Sequence, residues 1–159
     1  MKISVVAVGK VRGLLQDAVA EFETRAGRYW KLQLVEVDGG VGRGGTASAE
    51  AVRAAEGRRI IDRLPERAEV WCLTREGNAL SSGRLARTLG RLALEGNAGV
   101  AFVLGGAYGL DREVFDRAQR RMSLSRMTLP HEMARLVLAE QLYRAGTILR
   151  NEPYHKGET

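Results

Sequence analysis

The sequence predicts an α/β fold, a mostly parallel sheet flanked by helices. Short apolar runs alternate with longer amphipathic stretches along the chain, and the runs are apolar at successive positions, as strands covered on both faces must be. Glycine or hydroxyl residues follow several of these runs, where the chain would leave the sheet.

Taken in order, Lys2–Gly9 reads as a buried strand. Leu14–Tyr29 follows as a helix with Leu15, Val19, Phe22 and Ala26 on one face. Leu32–Val37 is a second strand. After a glycine-rich segment, Gly39–Gly45, a basic helix is expected from about Ala47 to Leu64. Glu69–Thr74 is the third strand, Ser82–Glu95 a helix, and Gly99–Leu104 the fourth strand. A helix over Asp111–Arg121 leads to a hydroxyl-rich loop, and a last helix runs from about His131 to Ala145.

The chain has 159 residues, 45% of them hydrophobic, enough for one core, so a single domain over residues 1–159 is expected. A lone cysteine, Cys72, excludes an intramolecular disulfide. It lies between Trp71 and Leu73 without a histidine or second cysteine at metal-ligand spacing, so it reads as a core residue and no metal is expected. The start, Met-Lys-Ile-Ser-Val-Val-Ala-Val-Gly, lacks the apolar core and cleavage site of a signal peptide, and no run approaches the roughly 20 apolar residues of a membrane span. A soluble cytoplasmic protein is the expectation.

A net charge of +6 favours an anionic partner such as nucleic acid. The excess is spread out: 11 basic against 8 acidic residues in 1–64, 5 against 4 in 65–106, and 9 against 7 in 107–159. A nucleic acid would therefore meet a folded surface, not a basic tail. A solvated arginine-rich surface explains the same charge.

In open α/β sheets, ligands bind beyond the carboxyl ends of the strands. Leu73-Thr-Arg-Glu-Gly77 follows the third strand, Gly105-Gly106-Ala-Tyr-Gly109 the fourth, and Ser123-Leu-Ser-Arg-Met-Thr-Leu-Pro-His131 precedes the last helix. A hydroxyl-rich loop running into a helix start offers free backbone N–H donors to a polar ligand. Gly105-Gly106 also fits a plain tight turn, and Ser81 and Ser82 are most economically helix caps. Residues 39–45 lack the Gly-Lys-Ser/Thr ending of a phosphate loop and read as a mobile surface loop.

These motifs, with Ser81-Ser82, Glu140-Gln-Leu-Tyr-Arg-Ala145 and the closing Asn151-Glu-Pro-Tyr-His-Lys156, resemble the RlmH family of the SPOUT superfamily, the ribosomal large-subunit pseudouridine N3-methyltransferases. The resemblance spans nearly the whole chain and is strongest from residue 70 onward. It implies methyl transfer from S-adenosyl-L-methionine to N3 of a pseudouridine in a 23S rRNA hairpin on the assembled ribosome. It also implies a homodimer and a C-terminal trefoil knot. The cofactor positions carry over to Leu73, Gly105, Gly106, Ser125, Arg126, Met127, Thr128, Leu129 and Pro130. The positions acting on the base carry over to His131, Arg144, Tyr154 and His155.

A sulfonium donor is already activated, so such an enzyme must align donor and nucleophile, exclude water and handle one proton; no metal is required. The imide N3–H calls for a general base or a cationic setting that favours the anion. His131 follows Pro130 at a helix start, where the dipole disfavours a positive ring. A polar helix-start residue facing solvent is the plainer reading of the same histidine.

Arg144 lies 13 residues beyond His131, which on one helix means about 20 Å and roughly 220° of rotation. One subunit cannot easily bring both to one base, so a site across a dimer interface is the simplest geometry. The width of the apolar stripe Met133, Leu136, Val137, Leu138, Leu142 and Tyr143 agrees with an interface helix, although full burial in one core is the competing reading. Tyr143 reads as packing. The tail, with Tyr154, His155 and Lys156, reads as an RNA-side element that orders on binding. Two rivals are a ribosome-binding module without catalysis and a nucleotide-dependent oxidoreductase. The first strand lacks the glycine fingerprint the latter needs.

Overall fold

The computed structural model describes residues 1–42 and 46–156. Its strands are β1 (Lys2–Val8), β2 (Lys31–Val37), β3 (Glu69–Ala79), β4 (Gly99–Leu104) and β5 (Arg120–Ser123). They form one all-parallel sheet in the order β2-β1-β4-β3-β5. Burial follows position in that order. Central β4, Gly-Val-Ala-Phe-Val-Leu, is buried at every residue, whereas edge strand β2 buries only Val35 and Val37.

The period-two alternation of the strands feeds two cores. Ile3, Trp71 and Phe102 point to one face, where α1 (Gln16–Ala26), α3 (Ser82–Leu94) and α5 (His131–Leu149) supply Ala26, Leu89 and Leu142. Val6, Cys72 and Val103 point to the other, under Ile60 of α2 (Ala49–Ile61) and Val114 of α4 (Arg112–Arg117). Trp71 and Phe102 meet edge to face with centroids 5.3 Å apart. Cys72 is fully buried, which pushes its thiol up to about 11, so it is the inert core residue its neighbours suggested.

Helix α5 occupies the groove between α1 and α3 and is fastened by polar contacts as well as by packing. Arg135, 6% exposed, donates from Nε to Glu23 Oε1 of α1 at 2.7 Å and from Nη1 to Glu36 Oε2 of β2 at 3.1 Å. Trp30 Nε1 donates to the Leu142 carbonyl at 2.8 Å. Ser81 caps α3, its Oγ accepting from the Arg84 amide at 3.2 Å. Ser82 is not the cap: its hydroxyl donates to Gln141 Oε1 of α5 at 2.5 Å.

Three boundaries differ from the pattern. The helix expected over Asp111–Arg121 stops at Arg117, and Arg120–Ser123 forms edge strand β5. Arg120 and Arg121 gave that segment a polar, helix-compatible look, yet their guanidinium groups lie over Trp71 and Phe115, 5.0 and 4.5 Å from the ring centroids. Strand β3 continues to Ala79 instead of ending at Thr74, and α5 continues to Leu149. The start of the glycine-rich segment is anchored by Arg59, whose Nη1 donates to the carbonyls of Asp38 and Gly40 at 2.8 and 2.7 Å. Expectations for Arg43, Gly44 and Gly45 lie outside the described residues.

Candidate active site

Because β4, β3 and β5 are neighbours, their carboxyl ends converge, and an open cavity of about 890 Å³ lies among them. Its first wall is an excursion within a strand. Met122 of β5 pairs with both Leu73 and Asn78 of β3, so Thr74–Gly77 are looped out of the ladder. Gly77 makes this possible, since a Cβ there would lie 2.6 Å from the Met122 carbonyl carbon and 2.7 Å from that of Arg121. The segment expected to follow the third strand as a loop is therefore a bulge inside it.

The second wall is the turn after β4. A Cβ on Gly105 would meet the Gly109 backbone at 2.8 Å, and Gly109 itself has φ +80°. The third wall is the loop from β5 to α5, where Ser125 Oγ accepts from the Met127 amide at 3.0 Å. Arg75 Nη1 donates to Thr128 Oγ1 at 2.9 Å, joining the first wall to the third.

Leu73, Gly105, Gly106, Ser125, Met127, Thr128, Leu129 and Pro130 all border this cavity; Arg126 is exposed and is not among the lining residues. His131 borders it too, half exposed, with Nε2 3.8 Å from Glu132 Oε1. Arg53, Leu110 and Phe115 also border it, and sequence reasoning missed them. Arg53 comes from α2, far from any motif, and only its weak 3.5 Å contact to the Tyr108 carbonyl marks the association.

Arg144, Tyr154 and His155 gather elsewhere, at the far end of α5. Arg144 donates to Glu140 Oε1 from Nη2 and Nε at 2.6 and 2.9 Å and lies 4.9 Å from the Tyr154 ring centroid. The Tyr154 hydroxyl donates to the same Glu140 oxygen at 3.1 Å. Tyr143 packs among Phe22, Tyr29 and Tyr154. Pro153–His155 form a 3-10 turn seated on α5. His155 borders a second cavity of about 810 Å³ between α3 and α5, where its Nδ1 and the Oγ of Ser123 are buried without partners among the described residues. Burial, then the Glu140 carboxylate, raises the Tyr154 pKa, so its hydroxyl is a donor at neutral pH and not a base.

Comparison with known proteins decides what this arrangement belongs to. Residues 1–155 match the family model described as a predicted SPOUT methyltransferase. The chain belongs to the SPOUT methyltransferase family. Among its relatives, a protein of Gemmatimonas aurantiaca named ribosomal RNA large subunit methyltransferase H is 46% identical over 157 residues, 98% of this chain and 100% of that protein. One of the same name from Anaeromyxobacter is 48% identical over 157 residues, again 98% and 100%. The fold is shared with a probable methyltransferase from Bordetella pertussis, with a TM-score of 0.58, 19% identity and 91% and 95% coverage.

SPOUT methyltransferases take their methyl group from S-adenosylmethionine. The cavity fits that molecule: its volume lies within the range of small-molecule sites, Leu73, Leu104 and Leu129 offer apolar walls for an adenine ring, and the glycine turn brings main-chain polar groups close. Among the described residues no group of three His, Cys, Asp or Glu side chains is arranged to hold a metal, and no helix is long and apolar enough to cross a membrane.

Proposed function

We propose that this SPOUT methyltransferase methylates N3 of a pseudouridine in a 23S rRNA hairpin on the assembled ribosome, in the cytoplasm, with residues 1–159 acting as one unit. The observation that carries the reading is the division of functional groups along α5: His131 at the donor cavity, and at the other end the Arg144–Tyr154 pair, with His155 next in the chain facing a second cavity. The names of the relatives support a large-subunit rRNA substrate, and the net charge of +6 suits one.

When bound, S-adenosylmethionine supplies a methyl group on a sulfonium, a leaving group that needs no further activation. Leu73, Gly105, Gly106, Ser125 and residues 127–130 would hold it, and the apolar walls exclude water. His131 accepts the N3 proton as the nitrogen becomes nucleophilic, and the Arg144 guanidinium stabilises the resulting anion. Tyr154 and His155 position the base by stacking and hydrogen bonding, and Lys156 meets a phosphate. In a homodimer with α5 at the interface, Arg144 and the tail of a second copy lie beside His131 of the first. Met133 is 38% exposed, and Leu136 and Val137 are only half-buried, an apolar surface that a second copy would cover. The same reading includes the C-terminal trefoil knot that the family resemblance implies.

Equilibrium dialysis with labelled S-adenosylmethionine, followed by addition of ribosomes lacking the modification, tests this. Binding followed by transfer to large-subunit RNA is expected. Ribosome association without cofactor binding would identify a non-catalytic module instead.

A further inference from the structure

Glu56 of α2 is a buried acid outside the machinery described so far. It is 4% exposed; its Oε1 accepts from the Gly40 amide at 2.9 Å, and its Oε2 is buried without a partner among the described residues. Backbone closes around this carboxylate where side chains are missing. A Cβ on Gly106 would lie 2.8 Å from Oε2 and 3.0 Å from Oε1, and a Cβ on Gly39 3.4 Å from Oε1. Gly106 forms the second wall of the donor cavity, while Gly39 and Gly40 open the glycine-rich segment after β2. The Gly106 backbone is already paired with that of Gly109, so the turn is closed on itself where the carboxylate meets it. Among the described residues Oε2 has no donor, and a buried acceptor left unpaired is costly.

We propose that Glu56 is a positioning residue of the donor site, its caged carboxylate fixing the Gly105–Gly106 turn that forms one wall of the cavity. The proposal rests on the cavity being the S-adenosylmethionine site. It explains why α2 carries an acid at a core position, and why glycine stands at 106. The same carboxylate links the glycine-rich segment to the donor cavity.

Wild type, Glu56→Ala, Gly106→Ala and the double variant test it, each titrated with S-adenosylmethionine and melted without it. Glu56→Ala should weaken binding about tenfold, and the two losses should not add, because the methyl of Gly106→Ala no longer meets a carboxylate in the double variant. At saturating donor, kcat should change less than the dissociation constant. Glu56→Gln, which keeps an acceptor oxygen and the shape, should lie between Glu56→Ala and wild type and reports if the alanine variant folds poorly. Additive losses, or a folded Glu56 variant that binds like wild type, would overturn the proposal. A wild type that binds no S-adenosylmethionine would instead overturn the cavity assignment, and non-additive melting temperatures would still reveal the Glu56–Gly106 contact.

Discussion

Arg75 and Thr128 are 53 residues apart in sequence, yet the guanidinium of one donates to the hydroxyl of the other at 2.9 Å. The bond joins the β3 bulge to the loop that opens α5, two walls of one cavity. Both side chains are exposed, so the contact contributes little to global stability. Its expected role is to slow donor release. Arg75→Ala should weaken S-adenosylmethionine binding about threefold, mainly through a faster dissociation rate in stopped flow, with the melting temperature nearly unchanged. An unaltered dissociation rate would remove the bridge from the site.

Gly77 should be among the least replaceable residues of the bulge. A methyl there meets the Met122 and Arg121 backbone, which cannot rotate away as a side chain can. Gly77→Ala is expected to cost about 2 kcal/mol or more in urea unfolding, against less than about 0.5 kcal/mol for neighbouring Thr74→Ala. Equal small effects would mean the bulge can relax.

The tail has its own pH signature. Tyr29 donates to the Glu152 carboxylate, and this bond, with burial second, raises the Tyr29 hydroxyl from 10.0 to about 12. The folded state thus favours the protonated phenol. Its contribution is fully present below 10.0 and is lost as pH climbs from 10.0 through about 12. The difference in melting temperature between wild type and Tyr29→Phe should be constant at neutral pH and shrink over that alkaline window. A difference that persists at its top would assign the effect to packing.

A site shared between copies predicts complementation. His131→Ala and Arg144→Ala should each be nearly inactive. Equal mixing and re-association should restore about a quarter of wild-type activity, since half the dimers are mixed and each mixed dimer has one intact composite site. No recovery on mixing would place both residues in one subunit's site.

The fold was legible wherever burial was symmetric. Val100–Leu104 and Ile3–Val8 announce themselves because strands covered on both faces are apolar throughout. Strand β5 was not legible: as an edge it carries Arg120 and Arg121, and its pairing depends on the excursion at Thr74–Gly77, a long-range fact no local pattern encodes. The cavity proposed to hold the donor was legible in the sequence because its walls are glycine- and hydroxyl-rich segments that interrupt or leave the strands. Arg53 and Glu56 were not, since nothing in the helical run Ala49–Ile61 shows which residues face a loop 50 positions away. The separation of His131 from Arg144 followed from helix geometry alone, because α5 is continuous from one to the other.

The central claim is methyl transfer to one atom of one base. Purified protein, S-adenosylmethionine carrying a labelled methyl group, and ribosomes from a strain lacking the enzyme should yield label in 23S rRNA. Digestion and mass spectrometry should place it on N3 of a pseudouridine, and His131→Ala should abolish it while still binding the donor. Label on another base, or none on ribosomes when the donor is bound, would contradict the account.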